Sequence, residues 1–166
     1  MKNVGIHAAM TLAEIGPATD VVAFFNVVVA KLENGVRGTK YPWLTEVLYR
    51  NSLKMEDLQF LKQDLQAVEK NLKNISSNSV DLVFFGVDKN NTKLNITEDN
   101  LSLVFSRFFS ACNMALQCTE LFFNEFNEYI PVRLGITDAP YSFEDADRPA
   151  DEYNKLGTED QPFWLR

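Results

Sequence analysis

Over residues 55–75 apolar side chains recur every three or four positions, at Met55, Leu58, Leu61, Leu65, Val68, Leu72 and Ile75, with Lys, Glu, Asp and Gln filling the opposite face. This is the period of an α-helix that buries one stripe, and it is the clearest element in the chain. A different period opens the sequence. Over residues 3–13, Val4, Ile6, Ala8 and Met10 share one parity, and Gly5, His7, Ala9 and Thr11 share the other. That alternation predicts a strand with its even face inward. Gly16 and Pro17 break the pattern, and Pro17 suits a first helical turn. Val21, Phe25, Val28 and Leu32 then fall at helical spacing. Val22, Val27 and Val29 raise strand propensity in the same segment, but its length predicts a helix. Residues 33–38 supply a glycine stop, and Tyr41-Pro42 opens a short helix through Val47, Leu48 and Tyr49.

The second half is less regular. Residues 76–79 read as a loop and 80–87 as a short buried strand. Residues 101–109 fit either a strand or the start of a helix. A helix is expected over 110–127, where Met114, Cys118, Leu121, Phe122 and Phe126 stand near helical spacing. Residues 129–136 read as a strand, with Pro131 placing it at an edge or at a strand start. The order strand, helices, strand, helix, strand implies an α+β or mixed α/β single domain, a small sheet packed with about four helices. The body spans 1–136, and composition shifts beyond it to an extension over 137–166.

The chain has 166 residues, 46% of them hydrophobic and 23% charged, with thirteen phenylalanines. A domain of this size buries enough surface to need no disulfide or metal. Phe105, Phe108, Phe109, Phe122, Phe123 and Phe126, at helical spacing, are expected in the core rather than around a ligand. Cys112 and Cys118 lie on one helix, about 9 Å apart by its rise, and so read as reduced thiols. The first residues carry no basic segment followed by a long apolar one, and no stretch is long enough to span a bilayer, so a cytoplasmic location is expected.

Charge is uneven. Of a net −7, residues 137–166 contribute −5, from eight acidic and three basic side chains. Such a chain repels nucleic acid and membrane phosphates and attracts a basic protein.

Candidate chemistry is sparse. His7 is the only histidine. It sits mid-strand with no spacing that ties it to a nucleophile, so it is read as structural or surface. No Cys-x-x-Cys or His-x-x-x-His occurs, and Gly35 and Gly38 lack the lysine-hydroxyl pair of a phosphate loop. The adjacent acidic pairs, such as Glu56-Asp57 and Glu144-Asp145, are ordinary solvated turns. No catalytic residue, metal site or cofactor is therefore expected. In the extension, Tyr141, Phe143 and Tyr153 interleave with Glu144, Asp145, Asp147, Asp151 and Glu152, and Phe163 and Trp164 follow. Rings amid carboxylates suit a surface that docks on a basic protein. The alternative is an extension that folds back and buries Phe163 and Trp164.

Phe24, Phe25, Leu32, Glu33, the glycine turn, Tyr41, Pro42 and the Glu46-Val47-Leu48-Tyr49 segment resemble the opening of the immunity protein 70 family of bacterial polymorphic toxin systems. The shared order runs from Gly5 to about Ile75, with looser similarity to Ile136, and residues 137–166 fall outside it. The resemblance implies a non-enzymatic inhibitor of a cognate toxin, such as the C-terminal effector of a contact-dependent growth inhibition protein. Toxins of these systems are commonly nucleases, and an RNase or tRNase bound 1:1 is the expected partner. A generic interaction adaptor without a toxin is the other reading.

Overall fold

The structure is a computed structural model that describes residues 2–73, 98–139, 148–158 and 161–165. Its first element differs from the single strand read from the sequence. Residues 3–13 contain a hairpin, β1 (Asn3–Ala8) and β2 (Thr11–Pro17), turning at Ala9-Met10 with Ala9 at φ 51°. Val4, Ile6 and Ala8 face inward as expected, but Met10 is at the tip and 85% exposed. On β2 the buried parity is odd, at Ala13 and Ile15. An alternating pattern runs unbroken through a two-residue turn that carries no Gly or Asn, which is why the reversal is silent in the sequence. The sheet is antiparallel in the order β2-β1-β3, with β3 (Arg133–Ile136) at the expected edge and Pro131 just outside it.

Helix α1 (Ala18–Leu32) starts directly after Pro17 and buries Val21, Val22, Phe24, Phe25, Val27 and Val28. The next segment winds a short, wide helical turn, Trp43–Leu48. Helix α2 (Leu58–Leu72) buries Leu61, Leu65, Val68 and Leu72 as the stripe requires. Leu58 is only half-buried. Met55 stands in the preceding 3-10 turn (Met55–Asp57) and is exposed, so the stripe is one turn shorter than its period suggests. Ile75 and the strand expected over 80–87 lie outside the described residues.

The ambiguous residues 101–109 belong to one continuous helix, α3 (Glu98–Phe126). Its inward stripe is Leu101, Val104, Phe108, Ala111, Cys112, Ala115 and Thr119. Small residues there let the helix lie close across β2 and β1. Phe24 of α1 stacks on Phe108 with ring centroids 3.7 Å apart, and Phe25, Phe105 and Phe109 meet Phe24 edge-on. A last helix, α4 (Ala150–Leu156), and a turn, Phe163–Leu165, complete an α+β single domain.

Candidate binding surfaces

The glycine loop that carries part of the resemblance is held by one buried side chain. Glu33 follows α1, and its carboxyl Oε1 accepts the N–H groups of Lys40 and Tyr41 at 3.0 and 2.7 Å, while Oε2 accepts that of Gly38 at 3.2 Å. Gly35 and Gly38, at φ 81° and 76°, allow the chain to curl around it. Arg37 stacks on Tyr49 at 3.7 Å and donates to the Thr45 carbonyl. From α2, the Asp64 carboxyl accepts the N–H groups of Trp43 and Leu44 at 2.9 and 3.1 Å, capping the short helical turn. These residues build the frame, and their polar groups are satisfied within it.

Burial raises the Asp64 carboxyl above its ordinary pKa, the two N–H donors oppose the rise, and Glu33 adds to it. The folded state therefore holds this proton more tightly than the unfolded state. The group's favourable contribution is complete below the ordinary carboxyl pKa of about 4 and is lost as pH rises through the higher folded value. Asp64→Asn keeps an acceptor oxygen for both N–H groups and removes the charge. Its stability relative to wild type should improve as pH rises from about 4 to about 7, measured by urea midpoints; a difference that does not change with pH would contradict this.

The expected docking residues divide. Tyr141, Phe143, Glu144, Asp145 and Asp147 lie outside the described residues. Asp151 and Glu152 are exposed in the first turn of α4, and Glu152 pairs with Arg148 at 2.6 Å. Tyr153 is buried: its hydroxyl donates to the Leu134 carbonyl of β3, and Arg133 lies over its ring. A partner cannot reach that ring, so Tyr153 holds α4 on the sheet. Phe163 and Trp164 are buried as well, with Phe163 edge-on to Tyr153 at 5.3 Å. The Trp164 indole donates to the Tyr49 carbonyl at 2.7 Å and packs on Tyr49 and Phe25. Of the two readings of the extension, folding back is the one these two rings adopt.

His7 lies across β3, where a Cβ added at Gly135 would stand 2.5 Å from Nε2. The glycine makes room for the imidazole, which is a packing relation. Cys112 is buried, and burial raises its thiol pKa; Cys118 is half-buried on the same helix. Among the described residues no group of three His, Cys, Asp or Glu side chains could hold a metal ion, and no helix is long and apolar enough to cross a membrane.

On α3 the exposure of several apolar residues differs from what spacing suggests. Met114 and Leu121 face outward, 48 and 68% exposed; Phe126, expected in the core, is 54% exposed beyond the last buried residue of the helix, and Phe122 is half-buried. Phe126 thus leaves the core expected for it. Two shallow grooves of about 450 and 470 Å³ flank the helix and share Ser106, Ser110 and Met114. Apolar residues occur all round α3, so periodicity alone gives two stripes. The small residues Ala111, Cys112, Ala115 and Thr119 were the signal for which one packs.

The described residues form a small antiparallel sheet packed with helices, onto which Tyr153, Phe163 and Trp164 fold back. Residues 6–122 match the family model described as Immunity protein 70, well over half of the chain. The chain belongs to the immunity protein 70 family, as the resemblance read from Phe24 to Tyr49 implies, and it is an immunity protein. No curated protein and no solved structure matches it.

Proposed function

We propose that this immunity protein binds and neutralises a cognate toxin domain in the cytoplasm, forming a 1:1 complex and performing no chemistry of its own. The family match over residues 6–122 carries the reading. The toxin is a basic nuclease, an RNase or tRNase, of a polymorphic toxin system such as contact-dependent growth inhibition. Charge supports that choice. A nuclease site that holds phosphate is positive, and the chain carries −7, five units of it in residues 137–166. Inhibition works by covering the active site or an adjacent surface. The interface buries about 1,600 Å² in total, the usual size for a specific inhibitor.

In this reading the acidic extension steers the encounter, through Glu144, Asp145, Asp147, Asp151 and Glu152 with Tyr141 and Phe143 beside them. Co-expression with the toxin domain encoded immediately upstream should restore growth that the toxin alone stops; failure to restore it overturns the immunity reading. Neutralising Asp145, Asp147, Asp151 and Glu152 to their amides should slow association with that domain by roughly tenfold at low salt and little at high salt. An unchanged low-salt rate removes the extension from the encounter and leaves immunity standing.

A further inference from the structure

The sheet has two edges, and they differ. At β3 the outer edge is closed: the Tyr153 hydroxyl donates to the Leu134 carbonyl, and the Leu53 N–H donates to the Val132 carbonyl at 2.8 Å. The other edge strand is β2. In an antiparallel ladder, residues whose N–H and C=O both bond the neighbour alternate with residues whose groups point away from it. The two-residue turn at Ala9-Met10 makes Ala8 and Thr11 a bonded pair, and Ile6 and Ala13 the next one. A Cβ built on Gly5 would meet the Ala13 carbonyl at 2.5 Å, which places that carbonyl on the β1 side. Leu12 and Glu14 therefore turn their N–H and C=O groups outward, and among the described residues no strand or loop pairs with them.

Free strand edges are commonly blunted by charge, by Pro or by a covering side chain. On β2 these devices sit at one end. Pro17 closes the strand, and the Arg107 guanidinium stands 3.2 Å from where a Gly16 Cβ would be, paired with Asp20 at 2.6 Å. Glu14 is the one charge on the strand, and its carboxyl is drawn back over the sheet, 3.5 Å from Asn3 Nδ2 and 3.3 Å from the Thr137 hydroxyl.

Helix α3 runs beside this edge. Leu12, Ala13 and Glu14 share a groove of about 450 Å³ with Arg107, Ser110 and Met114. Leu103 and Leu121 lie within about 20° of Met114 around the helix, and they are 59 and 68% exposed. The side of α3 that overlooks the open edge is thus apolar, with the small Ser106 and Ser110 beside Met114.

A two-fold axis at Ala13 makes this surface its own complement. It sets Leu12 against Glu14 of a second copy, so that each outward N–H meets an outward C=O. Ala13 meets its image on the α3 side, where a small side chain fits. The two α3 helices then lie side by side, antiparallel, with Ser110 near the axis and Met114 beside Ser106 of the other copy. Charge favours a copy over a basic protein. Arg107 is neutralised by Asp20 and the Glu14 carboxyl is turned away, so two copies meet without like-charge repulsion, and a basic partner finds no free carboxylate in the groove. Asp151 and Glu152 of the acidic extension are on α4, which Tyr153 holds at the far edge of the sheet.

We propose that the β2 edge and the adjoining side of α3 bind a second copy of this chain, β2 pairing with β2 across the axis at Ala13 and α3 packing on α3 through Ser110 and Met114. The dimer goes beyond the toxin-binding reading and is compatible with it: each copy keeps its acidic extension on the outside, so one toxin domain per chain can still bind.

The test uses the full chain without toxin. Light scattering over a concentration series should show a dimer, and hydrogen exchange should show the Leu12 and Glu14 amides protected in it and about tenfold faster on dilution to the monomer. Ser110→Arg changes an exposed residue and sets like charges at the axis; it should weaken dimerisation by roughly 100-fold with an unchanged circular dichroism spectrum. If that variant misfolds, Leu12→Glu decides instead, since it puts a carboxylate beside Glu14 of the other copy, and roughly tenfold weaker dimerisation is expected. A monomeric wild type overturns the proposal: amides already slow in that monomer assign the edge to another part of the same chain, and amides that slow only with the toxin domain assign it to the toxin. A dimer in which both amides exchange freely, or one that persists in folded Ser110→Arg, has its interface elsewhere and overturns it as well.

Discussion

Trp164→Ala should lower the unfolding free energy by about 3–5 kcal/mol, the range for removing a fully buried large ring. Trp164 has no exposed surface although it is two residues from the last position of the sequence. Its indole N–H is satisfied by the Tyr49 carbonyl, and its ring meets Tyr49 at 5.7 Å and Phe25 at 6.3 Å. Tyr49 in turn carries Arg37 on its ring, so the indole closes a stack that reaches the glycine loop. Truncation opens a cavity at that stack and leaves the Tyr49 carbonyl without its donor. Trp164→Phe should cost less, because it keeps most of the volume. Chemical denaturation reads the difference. A loss under about 1 kcal/mol for the alanine variant would make residues 137–166 an appendage instead of a strap.

Glu33→Ala should cost roughly 3–4 kcal/mol, because it leaves the N–H groups of Lys40 and Tyr41 without their acceptor beside a 2% exposed position, while Gly38 keeps only the Thr45 hydroxyl. Glu33→Gln preserves one oxygen and the shape, and so should cost about 1–2 kcal/mol. Equal losses for both substitutions in a urea series would mean that the loop does not depend on the acceptor geometry.

Residue by residue, the sequence was most legible where one physical constraint acts alone. Helix α2 is amphipathic with a clear polar face, so burial of Leu61, Leu65, Val68 and Leu72 follows from spacing. The inward side of β1 follows from parity in the same way. The family motif was legible too, since Leu32-Glu33, the glycines and Pro42 mark a helix end and a turn. The role of Glu33 was not, because which N–H groups a carboxyl meets depends on how the loop closes eight residues later.

The sequence by itself determined an α+β domain, its strongest helix, a strand read over 129–136, of which the structure forms 133–136 at the sheet edge, and an acidic extension, all consequences of local periodicity and composition. Tertiary structure alone decided three further things. It turned one alternating run into a hairpin, because strand pairing with β3 fixes where β1 ends. It drew Tyr153, Phe163 and Trp164 inward, because the sheet edge and Tyr49 offered partners for their polar atoms and faces. It chose which side of α3 is buried, because the stripe of small residues lets that helix approach the sheet closely enough to exclude water, leaving Met114 and Leu121 outside, and it ended that burial at Thr119, short of Phe126.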